Sequence, residues 1–167
     1  QPLPETEVRV AEDGELLVRG PQVTAGYFRA ESPCRDGWLH TGDLGRLTDG
    51  GSLVILGRKK ELIKTSYGKY VHPARVEALL KEIPGIAEAM LVGEGRPYCT
   101  ALLWTRGDGR DRSWRDAIDR AILGMNARLS HPEQVKQWAI LPGSLSIESG
   151  QLTANLKLRR QVVAQQF

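Results

Sequence analysis

Cysteine is scarce in this sequence: Cys34 and Cys99 are the only two among 167 residues. They lie far apart and in no metal-ligand spacing. That excludes a disulfide framework and a zinc cluster, and the pair reads as reduced thiols of a cytoplasmic protein. No metal site is expected in the chain. No apolar run approaches the roughly 20 residues that a membrane helix needs, so membrane association is at most peripheral. The first residues, Gln1 to Val10, show no basic start, apolar centre or cleavage site, and nothing points to export. A dominant charge is missing too, with 23 Lys+Arg against 20 Asp+Glu and a net charge of +3. That balance suits phosphates and other small anions. It is too mild for a nucleic-acid binder, and no basic stripe is interleaved with aromatics, which make up 6% of the chain. There is no internal repeat and no low-complexity tract. The chain also lacks a starting Met and opens directly into strand-like sequence, as expected of a piece cut from something longer.

What is present is ordinary globular material, 41% hydrophobic and 26% charged, enough for a packed core. Such a length accommodates one ordinary domain, or a small domain plus part of another. Glu7–Val10 and Glu15–Arg19 read as a hairpin around Glu12-Asp13-Gly14. A second strand pair is expected near Trp38–His40 and Leu53–Leu56, with Gly42, Asp43, Gly45 and Asp49-Gly50-Gly51 between them as turn residues. After Gly57 the character changes. A charged break, Arg58 to Glu61, leads into a turn at Ser66-Tyr67-Gly68-Lys69. Pro73 then opens a helix burying Val76, Leu79, Leu80 and Ile83, which stops at Pro84-Gly85.

Strands Ile86–Val92 and Tyr98–Trp104 follow. The stretch from Arg106 to Arg112 reads as an exposed charged loop. A helix over 113–129 is expected to be capped by Ser113, with an apolar stripe of Trp114, Ala117, Ile118, Ala121, Ile122 and Met125. A strand is expected over Trp138–Leu141. The final helix is expected from about Leu156, with Val162, Val163 and Phe167 facing inwards. The fold class is therefore α+β: a β-rich subdomain over 1–59, then a small domain over 61–167 with about three strands and flanking helices.

Three segments could carry chemistry. In Thr41-Gly42-Asp43, a carboxylate on a glycine-flanked strand end can accept hydrogen bonds from two vicinal hydroxyls, as on a ribose. Taken alone, such an Asp more often caps its own backbone in a turn. In Gly57-Arg58-Lys59-Lys60-Glu61-Leu62-Ile63-Lys64-Thr65-Ser66-Tyr67-Gly68-Lys69, the guanidinium could bind phosphate or ribose and the glycines let a ligand approach the backbone. Taken alone, a short charged run is usually a solvated loop. In Gly150 to Arg160, Lys157 sits where a turn gives way to the last helix and could reach a partner site as a point charge. An exposed lysine at a helix start is the commoner explanation.

In this order, with Gly14-Glu15-Leu16, Gly26-Tyr27 and Asp36 to His40 ahead of them, the segments resemble the late motifs of the adenylate-forming superfamily. That superfamily includes acyl-CoA synthetases, beetle luciferases and peptide-synthetase adenylation domains. The resemblance covers almost the whole chain, and G-R-K-K-E-L-I-K-T-S-Y-G-K-Y-V and L-T-A-N-L-K-L-R-R look most like the long-chain fatty acyl-CoA synthetase branch. Departures are Tyr67 where glycine is common, Ala154 and Asn155 where Pro or Thr is usual, and a short stretch from Phe28 to Asp36.

The resemblance implies that Asp43 binds the ribose hydroxyls of adenosine and that Arg58 contacts ribose or phosphate. It makes Lys60 the hinge between a large and a small domain. Gly68 would lie beside the pantetheine tunnel, and Lys157 would be the catalytic lysine bridging the acyl carboxylate and the α-phosphate. The implied full-length enzyme uses ATP, CoA and Mg²⁺ to activate a fatty acid, and is cytoplasmic or membrane-associated. The phosphate loop and the acyl tunnel belong to an N-terminal domain absent from this sequence. The isolated chain is therefore expected to bind no cofactor tightly and to be inactive. Two rival functions stay open: a fatty acyl-AMP ligase that delivers to an acyl carrier protein, and a freestanding non-catalytic binding module.

Overall fold

The alternation read in residues 7–20 produces the expected hairpin. β1 (Glu7–Val10) pairs antiparallel with β2 (Glu15–Arg19), from Glu7↔Arg19 to Val10↔Leu16. The Asp13 carboxylate closes its turn by accepting the Glu15 N–H at 3.1 Å. A computed structural model describes residues 3–24, 26–29, 31–106 and 112–167. The chain divides into two compact units, Gln1–Leu62 and Ile63–Phe167. Residues 107–111 of the loop expected after Arg106 lie outside the described residues.

In the first unit, β4 (Trp38–Leu47) pairs with β2, with the short β3 (Cys34–Arg35) and with β5 (Leu53–Arg58) in a five-stranded sheet. This corrects the expectation of turn residues at Gly42, Asp43 and Gly45: all three lie inside β4, and only 48–52 turn back. The strand accommodates them by bulging. Between the pairs Leu17↔His40 and Glu15↔Leu44, β2 advances two residues while β4 advances four. Thr41-Gly42-Asp43 is thus pushed out of the ladder with β2, a device that re-aims side chains at sites. Leu16, Leu17 and Leu44 are the buried hydrophobic residues of this unit among those described.

The second unit starts with a small hairpin, β6 (Ile63–Lys64) and β7 (Tyr70–Val71). α1 (Pro73–Lys81) follows, with Pro at its first turn, where no donor is needed. It buries Val76 and Leu80 completely. β8 (Ile86–Val92) and β9 (Cys99–Thr105) pair antiparallel, and β10 (Val135–Ile140) joins β9 in parallel, giving the order β10-β9-β8. The α+β class and the three-stranded sheet with flanking helices therefore hold. β10 starts three residues earlier than expected. Asn126, at the end of α2 (Arg112–Asn126), explains this by bracketing Val135: its amide donates to the Val135 carbonyl at 2.8 Å and accepts the Val135 N–H at 2.9 Å.

α2 begins before Ser113, so that serine is inside the helix. Ala117 is exposed, while Ile118, Ile122 and Met125 carry the buried stripe. The last helix, α3 (Arg160–Gln166), starts four residues later than expected. It buries Val163 alone, and Phe167 is 55% exposed. No described helix is long and apolar enough to cross a membrane. Both cysteines are free, and burial pushes the Cys99 thiol up, as suits an inert core residue.

Candidate functional site

The bulge in β4 leaves backbone groups without ladder partners, and side chains replace them. Thr41 Oγ1 donates to the Leu16 carbonyl at 2.7 Å and accepts the Asp43 N–H at 3.1 Å. The Gly42 N–H donates to Glu15 Oε1 at 2.9 Å. Gly42 takes φ +72°, a conformation that any side chain would strain. Asp43 then faces Arg58 across the β4–β5 pair, and Arg58 Nε meets Asp43 Oδ1 at 2.8 Å. Arg58 also donates to the Thr41 carbonyl at 3.1 Å. Two residues inferred from separate motifs are thus one ion pair. The second Asp43 oxygen has no partner among the described residues.

Arg58 lies on the wall of an open cleft of about 720 Å³, with Glu15, His40, Thr41, Gly42 and Lys59. Sequence reasoning singled out Asp43 and Arg58 and missed the group beneath them. Lys59 Nζ sits 3.0 Å from Glu15 Oε2 and 2.5 Å from Asp13 Oδ2. His40 Nδ1 lies 3.3 Å from the same Glu15 oxygen. Burial pushes the Glu15 carboxyl up. Lys59, the Gly42 N–H and His40 more than reverse this, leaving it below the usual carboxylate range. The Asp13 and Glu15 carboxylates in turn raise the Lys59 ammonium above the usual lysine range. The signal available in the sequence was Glu15 beside a turn glycine and Lys59 beside Arg58. Nothing in their spacing says that strand pairing brings them together. Lys60 and Glu61 follow in a single 3₁₀ turn, Lys59–Glu61, and the border between the units falls after Leu62.

In the second unit, Gly68 has φ +71° and nothing within 4 Å of the place a Cβ would occupy. It sits in a five-residue turn that closes the β6–β7 hairpin. The Gly68 N–H donates to the Thr65 carbonyl and the Thr65 N–H to the Lys69 carbonyl, both at 2.9 Å. The Lys69 N–H donates to Thr65 Oγ1 at 3.1 Å. A left-handed fourth residue is what such a hairpin turn demands.

Lys157 is not at a helix start. It ends a turn in which Leu156 takes φ +57°, which breaks any helix before Arg160. Leu152 and Leu158 form an antiparallel bridge beneath it. Arg159 continues the bridge through its N–H to the Gln151 carbonyl at 2.8 Å. Arg160 then anchors the segment. It ion-pairs with Glu77 of α1 and donates to the Leu91 carbonyl at 3.4 Å, while Glu77 Oε1 accepts the Leu91 N–H at 2.6 Å. The pair satisfies both backbone groups of a residue on the edge strand β8. The Lys157 side chain is exposed and has no partner among the described residues.

Asp43 and Arg58 fit part of a nucleotide site, since one carboxylate oxygen is open to hydroxyl donors and a guanidinium stands beside it. Among the described residues no group of three or more His, Cys, Asp or Glu could hold a metal ion.

The chain is 37% identical over its whole length to the long-chain-fatty-acid–CoA ligase FadD15 of Mycobacterium tuberculosis, and covers 32% of that protein. Against the human long-chain-fatty-acid–CoA ligase 1 it is 31% identical, over 93% of this chain and 26% of the relative. It therefore spans about a third or less of the curated relatives it matches. Among solved structures, the O-succinylbenzoate coenzyme A synthetase of Bacillus subtilis in complex with AMP superposes at a TM-score of 0.73 and 28% identity, covering 96% of this chain and 34% of that one. The same synthetase with ATP and magnesium ion gives a TM-score of 0.74 at 28% identity, over 98% of this chain and 35% of that one. These neighbours are adenylate-forming enzymes. The AMP-binding enzyme C-terminal domain matches residues 60–167, and to that family this chain belongs.

Proposed function

We propose that this chain serves as the C-terminal third of an ATP-dependent long-chain fatty acid–CoA ligase, joining a nucleotide-binding edge at Asp43 and Arg58 to a mobile unit bearing Lys157. The observation that carries this reading is the anchored turn at Lys157. It holds an ammonium, unpartnered among the described residues, at the surface of a unit whose relatives are acid–CoA ligases. Attack of a fatty acid carboxylate on the α-phosphorus of ATP brings two anions together and shifts charge towards pyrophosphate. An ammonium between them stabilises that distribution. Asp43 takes the ribose hydroxyls and Arg58 a ribose or phosphate oxygen. CoA then attacks the acyl-adenylate past Gly68, after the second unit rotates about Lys60.

The deciding experiment uses the full-length ligase carrying Lys157→Ala. Pyrophosphate exchange should fall on the order of 10²–10³-fold, as for loss of one preorganised transition-state contact. Thioester formation from supplied acyl-AMP should largely survive. Equal loss of both half-reactions would remove Lys157 from this role. For the hinge, Lys60→Pro should trap one orientation, and normal turnover in that variant would rule it out.

A further inference from the structure

The turn that carries Lys157 and the turn that carries Gly68 are the same structure built twice. In the first, the Leu156 N–H donates to the Thr153 carbonyl at 2.8 Å, the Thr153 N–H to the Lys157 carbonyl at 2.9 Å, and the Lys157 N–H to Thr153 Oγ1 at 3.1 Å. In the second, the corresponding bonds join Gly68, Thr65 and Lys69 at 2.9, 2.9 and 3.1 Å. Each turn closes an antiparallel pairing, Leu152↔Leu158 in one and Lys64↔Tyr70 in the other. Each has a left-handed residue in its fourth place and an exposed lysine in its fifth. The two sequences, T-A-N-L-K and T-S-Y-G-K, share only the threonine and the lysine. The threonine is required by the bonds its side chain makes. The lysine is not, because the turn uses only its backbone. Fold therefore accounts for Thr65 and leaves the Lys69 ammonium, unpartnered among the described residues, without a structural task.

We propose that Lys69 is the catalytic cation of the thioester-forming step, as Lys157 is of the adenylate-forming step. This rests on the two-step reading above. In that step the CoA sulfur bonds to the acyl carbon as the bond from that carbon to the phosphate oxygen breaks. The electron pair leaves with AMP, and the thiol proton passes to solvent base. The nucleophile is the thiolate, which an adjacent ammonium favours by opposite charge. The open space over Gly68 lets the thiol arm pass beside the turn without meeting a side chain. Lys69, the next residue, carries an exposed ammonium beside that path. Rotation of the unit exchanges one lysine-bearing turn for the other.

The test is a set of full-length ligase variants, Lys69→Met and Lys69→Arg, with Lys157→Ala as reference. Pyrophosphate exchange and CoA thioester formation from supplied acyl-AMP are each measured across pH. Lys69→Met should lower thioester formation on the order of 10-fold or more and leave exchange within about twofold. Its pH–rate profile should move towards the alkaline range of an unassisted thiol, and Lys69→Arg should restore most of the rate. Unchanged thioester formation in Lys69→Met would overturn the proposal. So would parallel loss of both half-reactions, or an unmoved pH profile. Intact exchange in Lys157→Ala would instead defeat the reading of Lys157, whatever Lys69 does.

Discussion

Thr65 is 5% exposed, and the turn it closes grows from strands whose neighbouring side chains, Ile63 and Val71, are packed in the main core. Thr153 is exposed, and its turn stands on a single bridge held by the Arg160–Glu77 pair. The backbone is the same in both places, but one turn is fixed by apolar burial and the other by a charge pair at a sheet edge. A third difference lies at the left-handed place, glycine in one turn and leucine in the other. One backbone geometry can thus be reached by two routes, and the routes predict different sensitivities.

The largest contrast should come from the anchor. Arg160→Met leaves Glu77, whose side chain is 10% exposed, without its cation. Losing one partner of a buried pair costs about 3–5 kcal/mol, and the partial exposure of Arg160 reduces this to about 2–3. Hydrogen exchange should accelerate at Gly150 to Lys157 and stay slow at Thr65 to Lys69. Equal acceleration at both would show that the anchor serves the whole unit, and the contrast between the turns would collapse.

Next come the threonines. Thr65→Val removes the acceptor of the Lys69 N–H in a buried setting, a loss of about 1–3 kcal/mol. At Thr153 water replaces the lost acceptor, and Thr153→Val should cost less than about 1 kcal/mol. Urea unfolding of both variants measures the difference directly, and equal shifts would contradict the burial argument.

Much of this was legible in advance, and unevenly so. The strand Ile86–Val92 and the helix opening at Pro73 follow from local pattern, since proline chemistry and an apolar stripe act within a few residues. The bulge at Thr41-Gly42-Asp43 was not legible, because glycines read locally as a turn. Only the partner strand, through Glu15, shows that they interrupt a ladder. Likewise the segment from Thr153 to Lys157 carries no glycine to announce a left-handed place. Sequence therefore ran the last helix back to Leu156, where the chain instead turns and only afterwards coils. Asp43 and Arg58 were found as types of residue in recognisable motifs. Their pairing, and the Glu15–Lys59–Asp13 group below, depend on contacts across strands that no local window contains.

The smallest effect separates the two left-handed places. A side chain in that conformation costs about 1–2 kcal/mol, so Gly68→Ala should destabilise by about 1 kcal/mol even though space for the methyl is open. Leu156→Gly runs the other way. Leu156 is 69% exposed, so little burial is lost with its side chain. Relief of the strained backbone exceeds the roughly 0.5–1 kcal/mol that glycine adds to the freedom of the unfolded chain. A net gain of about 0.5–1 kcal/mol is expected, read as a higher unfolding midpoint. A loss on Leu156→Gly would mean that the leucine side chain, despite its exposure, is what holds the Lys157 turn closed, and the two turns would then be alike in outline only.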